Sequence, residues 1–214
     1  MGTCGTKIYP GLTEDVLEEY TSLTYLNKGE ILYLMKKFYS IDPDKMEADY
    51  AHRLPKDEII KKFEVLKSPP RALGGRPLPP NAATDFNNNP FQDRLFRVFS
   101  SKQDGCFSFE DLLDLCSAMS PDCPAEVKAA WAFRVYDIDE DNQISSRDIY
   151  DILGRITWDP NNRNMFLDRE SKIKIAKVIL KEVNLDHSES IGLNEFKLIL
   201  PRIPEFTSSF YFRL

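Results

Sequence analysis

Long apolar runs are missing from this chain. None is long enough to span a bilayer, and no signal-peptide core follows Met1. Cysteine is scarce: four residues in 214, at positions 4, 106, 116 and 123, with no C-x-x-C pair. Only His52 and His187 are on hand to help them, so a zinc site is not expected and free thiols in a reducing compartment are. Positive charge is not in surplus either. Lys and Arg number 28 against 34 Asp and Glu, a net −6, which argues against a polyanion-binding role and against nucleic acid as a partner. There is no Gly-rich phosphate loop, no G-x-S-x-G and no H-E-x-x-H, so nothing in the sequence supports an enzyme. What is present is a globular balance, 42% hydrophobic, in a length sufficient for two small domains.

The densest chemistry lies between Asp137 and Asp148, D-I-D-E-D-N-Q-I-S-S-R-D. Carboxylates alternate at Asp137, Asp139 and Asp141, and Asp148 closes a twelve-residue span. A tight loop can point alternate side chains inward. Positions 1, 3, 5 and 12, with the backbone carbonyl of Gln143 at position 7, then surround one hard cation. Asn142 stands at the turn position that wants positive φ, which Asn tolerates. Ile144, at position 8, is the apolar residue expected to pair with a partner loop. With amphipathic segments on both sides, this is the pattern of an EF-hand. Asp148 is one methylene shorter than Glu, which makes two-oxygen closure around a large ion harder. The expected resting occupant is therefore Mg²⁺, with Ca²⁺ competing.

Other hands are weaker. Helical patterns run from Thr13 to Tyr25 and, more strongly, from Lys28 to Tyr39, where Asp42-Pro43-Asp44 is read as the stop. Asp49 to Leu54 holds no spaced carboxylate set, and a helix follows from Lys56 to Leu66, so the first hand is degenerate. Lys67 to Pro90 holds six prolines, two glycines and four asparagines and reads as a loop or linker. Within it, Arg76 to Pro80 fits either a polyproline II turn or a plain surface insertion. A helix restarts from Phe91 to Phe99. Ser100 to Asp111 keeps the outline of a second loop, but Lys102 at position 3 repels a divalent ion, so this loop is expected to be empty. Cys116, on the helix after it, reads as core or boundary. After the strong third loop, Ser171 to Val183 is a clear helix. The fourth loop, Asn184 to Glu195, places Asn184, Asp186, Ser188 and Glu195 at positions 1, 3, 5 and 12, with the Ser190 carbonyl at 7 and Ile191 at 8. Only two of these are carboxylates, and Glu189 stands at the turn position. Two readings stand side by side, a weaker metal site and an empty loop.

The ends carry their own signals. Met1-Gly2-Thr3-Cys4-Gly5-Thr6 fits the N-myristoylation pattern, with Gly2 as acceptor and Cys4 as a second acylation point that would make a membrane anchor stable. The alternative is an ordinary flexible terminus. The tail from Ile203 to Leu214 is unusually apolar, and Phe206, Phe210 and Phe212 suit either a cover for a binding groove or permanent core.

Several of these motifs together resemble the calcium- and integrin-binding protein family of EF-hand adaptors. They are the Met1-Gly2 start, Asn89-Pro90-Phe91-Gln92-Asp93-Arg94, Phe107-Ser108-Phe109-Glu110-Asp111, Ala132-Phe133-Arg134-Val135-Tyr136-Asp137, Asp148 and Ser208-Ser209-Phe210. The resemblance covers nearly the whole chain and is closer to the family's second and third members than to its first. The Pro-rich insertion is longer than the family pattern, and the fourth loop has lost Asp at positions 1 and 5 and Gly at 6. The resemblance implies an all-α, two-lobe fold of four helix-loop-helix hands, two of them degenerate, with short β pairing between loops. Residues 1–27 form an N-terminal extension and helix, 28–120 and 121–200 the two lobes, and 201–214 the tail. It also implies Ca²⁺ and Mg²⁺ as ligands and a groove for an amphipathic helix from a membrane protein, such as a transmembrane channel-like protein or an integrin α tail. With acylation, that places the protein in the cytoplasm at the inner face of the plasma membrane. A Ca²⁺ buffer and a regulatory subunit of a cytosolic enzyme are the competing expectations.

Overall fold

Several helix starts in this chain follow capping chemistry. The computed structural model describes residues 9, 11–63, 90–157, 167–183 and 189–200. Thr13 Oγ1 accepts the Val16 N–H at 3.3 Å and opens α1 (Glu14–Leu23). Asn27 and Glu30 form a reciprocal capping box at the head of α2 (Lys28–Tyr39), at 3.0 and 2.8 Å. Its buried face, Ile31, Leu34, Met35 and Phe38, is the stripe that helical spacing puts on one side.

Asp42-Pro43 does more than stop that helix. It starts α3 (Pro43–Ala48), with Asp42 accepting the Lys45 N–H at 3.3 Å. Proline is barred from helix interiors but suits the first position, where its missing N–H has no partner to lose. After β1 (Leu54–Pro55), α4 runs only Lys56–Lys62. Phe63 leaves helical geometry at ψ 70°, earlier than the apolar spacing suggests, and Leu66 lies outside the described residues.

The chain continues through α5 (Gln92–Phe99), β2 (Cys106–Phe107), α6 (Phe109–Ala118), α7 (Ala125–Tyr136), β3 (Gln143–Ser145), α8 (Ser146–Ile156), α9 (Arg169–Val183), β4 (Ser190–Gly192) and α10 (Leu193–Ile199). Helix α9 begins two residues before the spacing suggests because Asp168 caps it, accepting the Ser171 N–H at 2.8 Å and the Ser171 hydroxyl at 2.9 Å. Among the described residues no helix is long and apolar enough to cross a membrane.

Two antiparallel ribbons tie the loops in pairs. β1 pairs with β2 in the register Leu54↔Phe107, and β3 with β4 in the register Ile144↔Ile191. Position 8 of the third loop thus meets position 8 of the fourth, as the sequence leads one to expect. The helices flank these ribbons in helix-loop-helix units, so the fold is the all-α EF-hand arrangement with short β pairing.

One apolar cluster gathers α1 to α6 around Phe38, Leu54, Phe63, Phe107 and Leu112, and a second gathers α7 to α10 around Phe133, Ile144, Ala176 and Ile191. Helix α7 serves both. Val135 belongs to the first cluster and Ala132 and Phe133 to the second, while Trp131 stacks on Phe99 with centroids 4.3 Å apart. Cys116 is core. Burial, with a smaller push from the Glu30 charge, raises its thiol to about 12, so it is inert near neutral pH.

Candidate metal centre

Asp137 ends α7 and Asp148 lies in the first turn of α8, so two helices fix the ends of the third loop. Between them, carboxylate oxygens of Asp137, Asp139 and Asp141 come within 4.8 Å of one another. Two non-glycine residues take left-handed geometry to make this possible, Glu140 at φ 63° and Asn142 at φ 65°. The second is the position where the sequence calls for positive φ.

Asp137 accepts the Asn142 N–H on Oδ2 at 2.9 Å and the Asp141 N–H on Oδ1 at 3.2 Å, which folds the loop back on its first residue. Asp141 in turn accepts the Gln143 N–H at 2.8 Å. Burial pushes the Asp137 carboxyl up, and the Asp141 and Asp148 charges push the same way. Like charges gathered on a buried carboxylate favour a counter-cation. The donors are all hard oxygens, which suits Ca²⁺ or Mg²⁺ and does not suit a soft metal.

Asp148 stands apart from the group of three. Its Oδ2 accepts both the N–H and the hydroxyl of Ser145, at 2.9 and 2.7 Å, and its Oδ1 accepts the Ile138 N–H at 2.9 Å. A carboxylate oxygen has two acceptor sites. Oδ2 is therefore saturated and Oδ1 has one site left, so Asp148 can offer an ion at most one oxygen in this arrangement.

The loop is gripped from outside by residues that sequence reading passed over. Arg94 on α5 is buried and donates to the carbonyls of Arg134, Val135 and Asp137 at 2.9, 3.4 and 2.7 Å. Those are the carbonyls that the end of α7 leaves without helical partners. Arg94 also pairs with Glu140 at 2.7 Å, and Arg97 forks onto the same carboxylate at 2.6 and 3.1 Å, holding Glu140 below the usual range. Arg155 ties α8 to the Pro90 carbonyl and to both oxygens of Asp93. The signal available in the sequence was a charged residue on an apolar face: Arg94 shares its side of α5 with Phe91, Leu95 and Val98.

Of the ligand positions expected in the fourth loop, Ser190 and Glu195 are described. Ser190 lies in β4, and Glu195 Oε2 accepts the Gly192 N–H at 3.1 Å at the head of α10. Asn184, Asp186 and Ser188 lie outside the described residues, as do Gly2, Cys4, Phe206, Phe210 and Phe212.

Paired helix-loop-helix units with a clustered carboxylate loop define an EF-hand protein. No family model matches the chain. Curated relatives do. Calcium and integrin-binding family member 2 of Homo sapiens is 28% identical over 202 residues, covering 94% of this chain and 96% of that protein. The member 2 protein of Drosophila melanogaster is 28% identical, and member 3 of Homo sapiens 27%, with the same coverage. Over nearly its whole length the chain is thus similar to members of the calcium and integrin-binding family, the family its motifs resemble. These relatives are named for what they bind and not for a reaction.

Proposed function

We propose that this chain is a Ca²⁺- and Mg²⁺-binding regulatory adaptor, without catalysis of its own, that binds an amphipathic cytoplasmic helix of a membrane protein. The observation that carries the cation half is the approach of Asp137, Asp139 and Asp141 to within 4.8 Å in a loop of hard oxygen donors. The adaptor half is supported by relatives named for integrin binding over nearly the full chain. Apolar surface is available for a partner helix: Val178 on α9 and Leu198 on α10 are both more than half exposed, at 57% and 55%. A transmembrane channel-like protein or an integrin α tail is the partner class, and acylation at Gly2 and Cys4 would hold the protein at the inner face of the plasma membrane. The apolar tail, with Phe206, Phe210 and Phe212, competes for the same surface.

Mg²⁺ is the resting ion of the third loop. Ca²⁺ draws on two oxygens at position 12, whereas Mg²⁺ needs only six ligands in a compact octahedron. Asp148 has one acceptor site to give. In Asp148→Glu the added methylene lets both oxygens reach the ion, so Ca²⁺ affinity rises on the order of tenfold while Mg²⁺ affinity changes little. Isothermal titration of the two proteins with each ion checks this, and equal Ca²⁺ affinities would refute it.

The adaptor reading is tested by affinity capture from a membrane extract in Mg²⁺, in Ca²⁺ and in chelator. Recovery of a multi-pass channel protein in either ion supports a metal-stabilised auxiliary subunit. Recovery of an integrin subunit in Ca²⁺ alone supports a switched adaptor and counts against Mg²⁺ as the working ion. A soluble enzyme, or no partner at all, overturns the adaptor reading.

A further inference from the structure

The second loop, Ser100 to Asp111, lacks the acidic set of the third, yet it folds the same way. Its left-handed residues are Gln103 at φ 52° and Gly105 at φ 76°, positions 4 and 6, matching Glu140 and Asn142 in the third loop. Asp104 at position 5 accepts the N–H of position 7 at 3.0 Å, as Asp141 does at 2.8 Å. Asp111 at position 12 accepts the N–H groups of positions 2 and 9, at 3.1 and 3.0 Å, as Asp148 does at 2.9 Å each.

A loop with so little acid has no evident reason to close around its own centre. The reason comes from the neighbouring loop. Arg53, one residue before Leu54 in the β1 register, reaches across the ribbon, and its side chain is only 13% exposed. Its guanidinium forks onto Asp104 at 3.1 Å through both Nε and Nη2, and Nη2 also reaches the Ser100 hydroxyl at 3.1 Å and the Cys106 carbonyl at 2.7 Å. Nη1 takes the Ser101 hydroxyl and Asp111 Oδ2, each at 3.0 Å. Ser100, Asp104, the Cys106 carbonyl and Asp111 are positions 1, 5, 7 and 12, four of the places from which a loaded loop holds its ion. Lys102, at position 3, is exposed and not among the contacts.

We propose that the second loop is a cation site whose resident ligand is the Arg53 guanidinium, so that this hand keeps the shape of the third loop without metal. Planar and permanently charged, a guanidinium offers more donors than an ammonium and holds them in a fixed fork that suits several oxygens in one plane. The Arg53 contact lowers the Asp104 carboxyl, as a bound cation would. The consequence is a division of labour. The N-terminal hands are set regardless of ion concentration, and any metal response belongs to the loops after α7.

The test is Arg53→Ala in the full chain, in chelator, followed by thermal unfolding. The variant's Tm falls by about 5–10 °C, and millimolar guanidinium chloride restores part of that loss while equal sodium chloride does not and the parent gains nothing. A variant that responds to the two salts alike overturns the proposal. Arg53→Lys covers the case in which the alanine variant does not fold: its Tm falls although the charge is kept, and a Tm equal to the parent's overturns the proposal. In the parent, the Gly105 amide resonance stays in place between chelator and saturating Ca²⁺. A saturable shift there would mean that the loop takes the ion itself, and would overturn it as well.

Discussion

Asp137→Asn is expected to weaken cation binding at the third loop on the order of a hundredfold, because ligand charge count moves EF-hand affinities over decades. The substitution keeps size and shape and removes one negative charge at the position that also shapes the loop. Asp137 accepts the Asn142 and Asp141 N–H groups at 2.9 and 3.2 Å. An Asn side chain carries one carbonyl oxygen and an NH₂ that cannot accept, so one of those hydrogen bonds is lost along with the charge. Without metal the effect on stability has the opposite sign or is small, because burial and the nearby Asp141 and Asp148 disfavour the charged form of Asp137. Calorimetric titration with Ca²⁺ and Mg²⁺ and unfolding in chelator read the two effects apart. An unchanged affinity for both ions would remove Asp137 from the ligand set.

Arg94→Met is expected to lower stability by about 3 kcal/mol, a fall in Tm of about 6–12 °C. Methionine replaces much of the aliphatic stem, so the change isolates the guanidinium. What is lost is the donor set for the Arg134, Val135 and Asp137 carbonyls and one of the two arginines on Glu140. Those acceptors sit where α7 runs out of helical partners, and the buried ones, the Val135 and Asp137 carbonyls, stay unsatisfied. The third loop loses its grip at positions 1 and 4 together, and cation affinity should fall with stability although Arg94 is no ligand. Arg97→Ala is the control. Arg97 is 56% exposed, and its pair with Glu140 is worth about 1 kcal/mol or less. If Arg94→Met and Arg97→Ala behave alike, the backbone contacts of Arg94 carry no weight.

These contacts couple the two halves, and the coupling is reciprocal. Helix α5 enters the second hand, and its Arg94 holds the third loop. The second hand in turn is closed on Arg53. A fixed N-terminal half thus positions the loop with the carboxylate cluster. Arg155, bound to Asp93 at 2.6 and 2.9 Å, adds a second tie between α5 and α8.

Much of this was written locally. Alternating carboxylates at Asp137, Asp139 and Asp141 imply convergence because the period of a tight loop is covalent geometry. Asn142 at a left-handed position and Ile144 opposite Ile191 follow from the same count. The helices of the hands were legible from apolar spacing, with their ends displaced where a cap intervened, as Asp168 shows at α9. Pro43 was misread as a stop alone because the sequence shows the break it makes and not the helix it can open.

The tertiary structure decided the rest. Side-chain length alone makes two-oxygen closure by Asp148 hard; its hydrogen bonds to Ser145 and Ile138, which the sequence does not show, leave it one acceptor site. The second loop was read as empty from Lys102, but the cation in it is Arg53, 47 residues before Ser100. Arg94 lies 43 residues from the Asp137 carbonyl it holds. Spacing within a loop is set by the chain and can be counted. Which distant arginine reaches which oxygen depends on how the helices pack, and no local pattern carries that information.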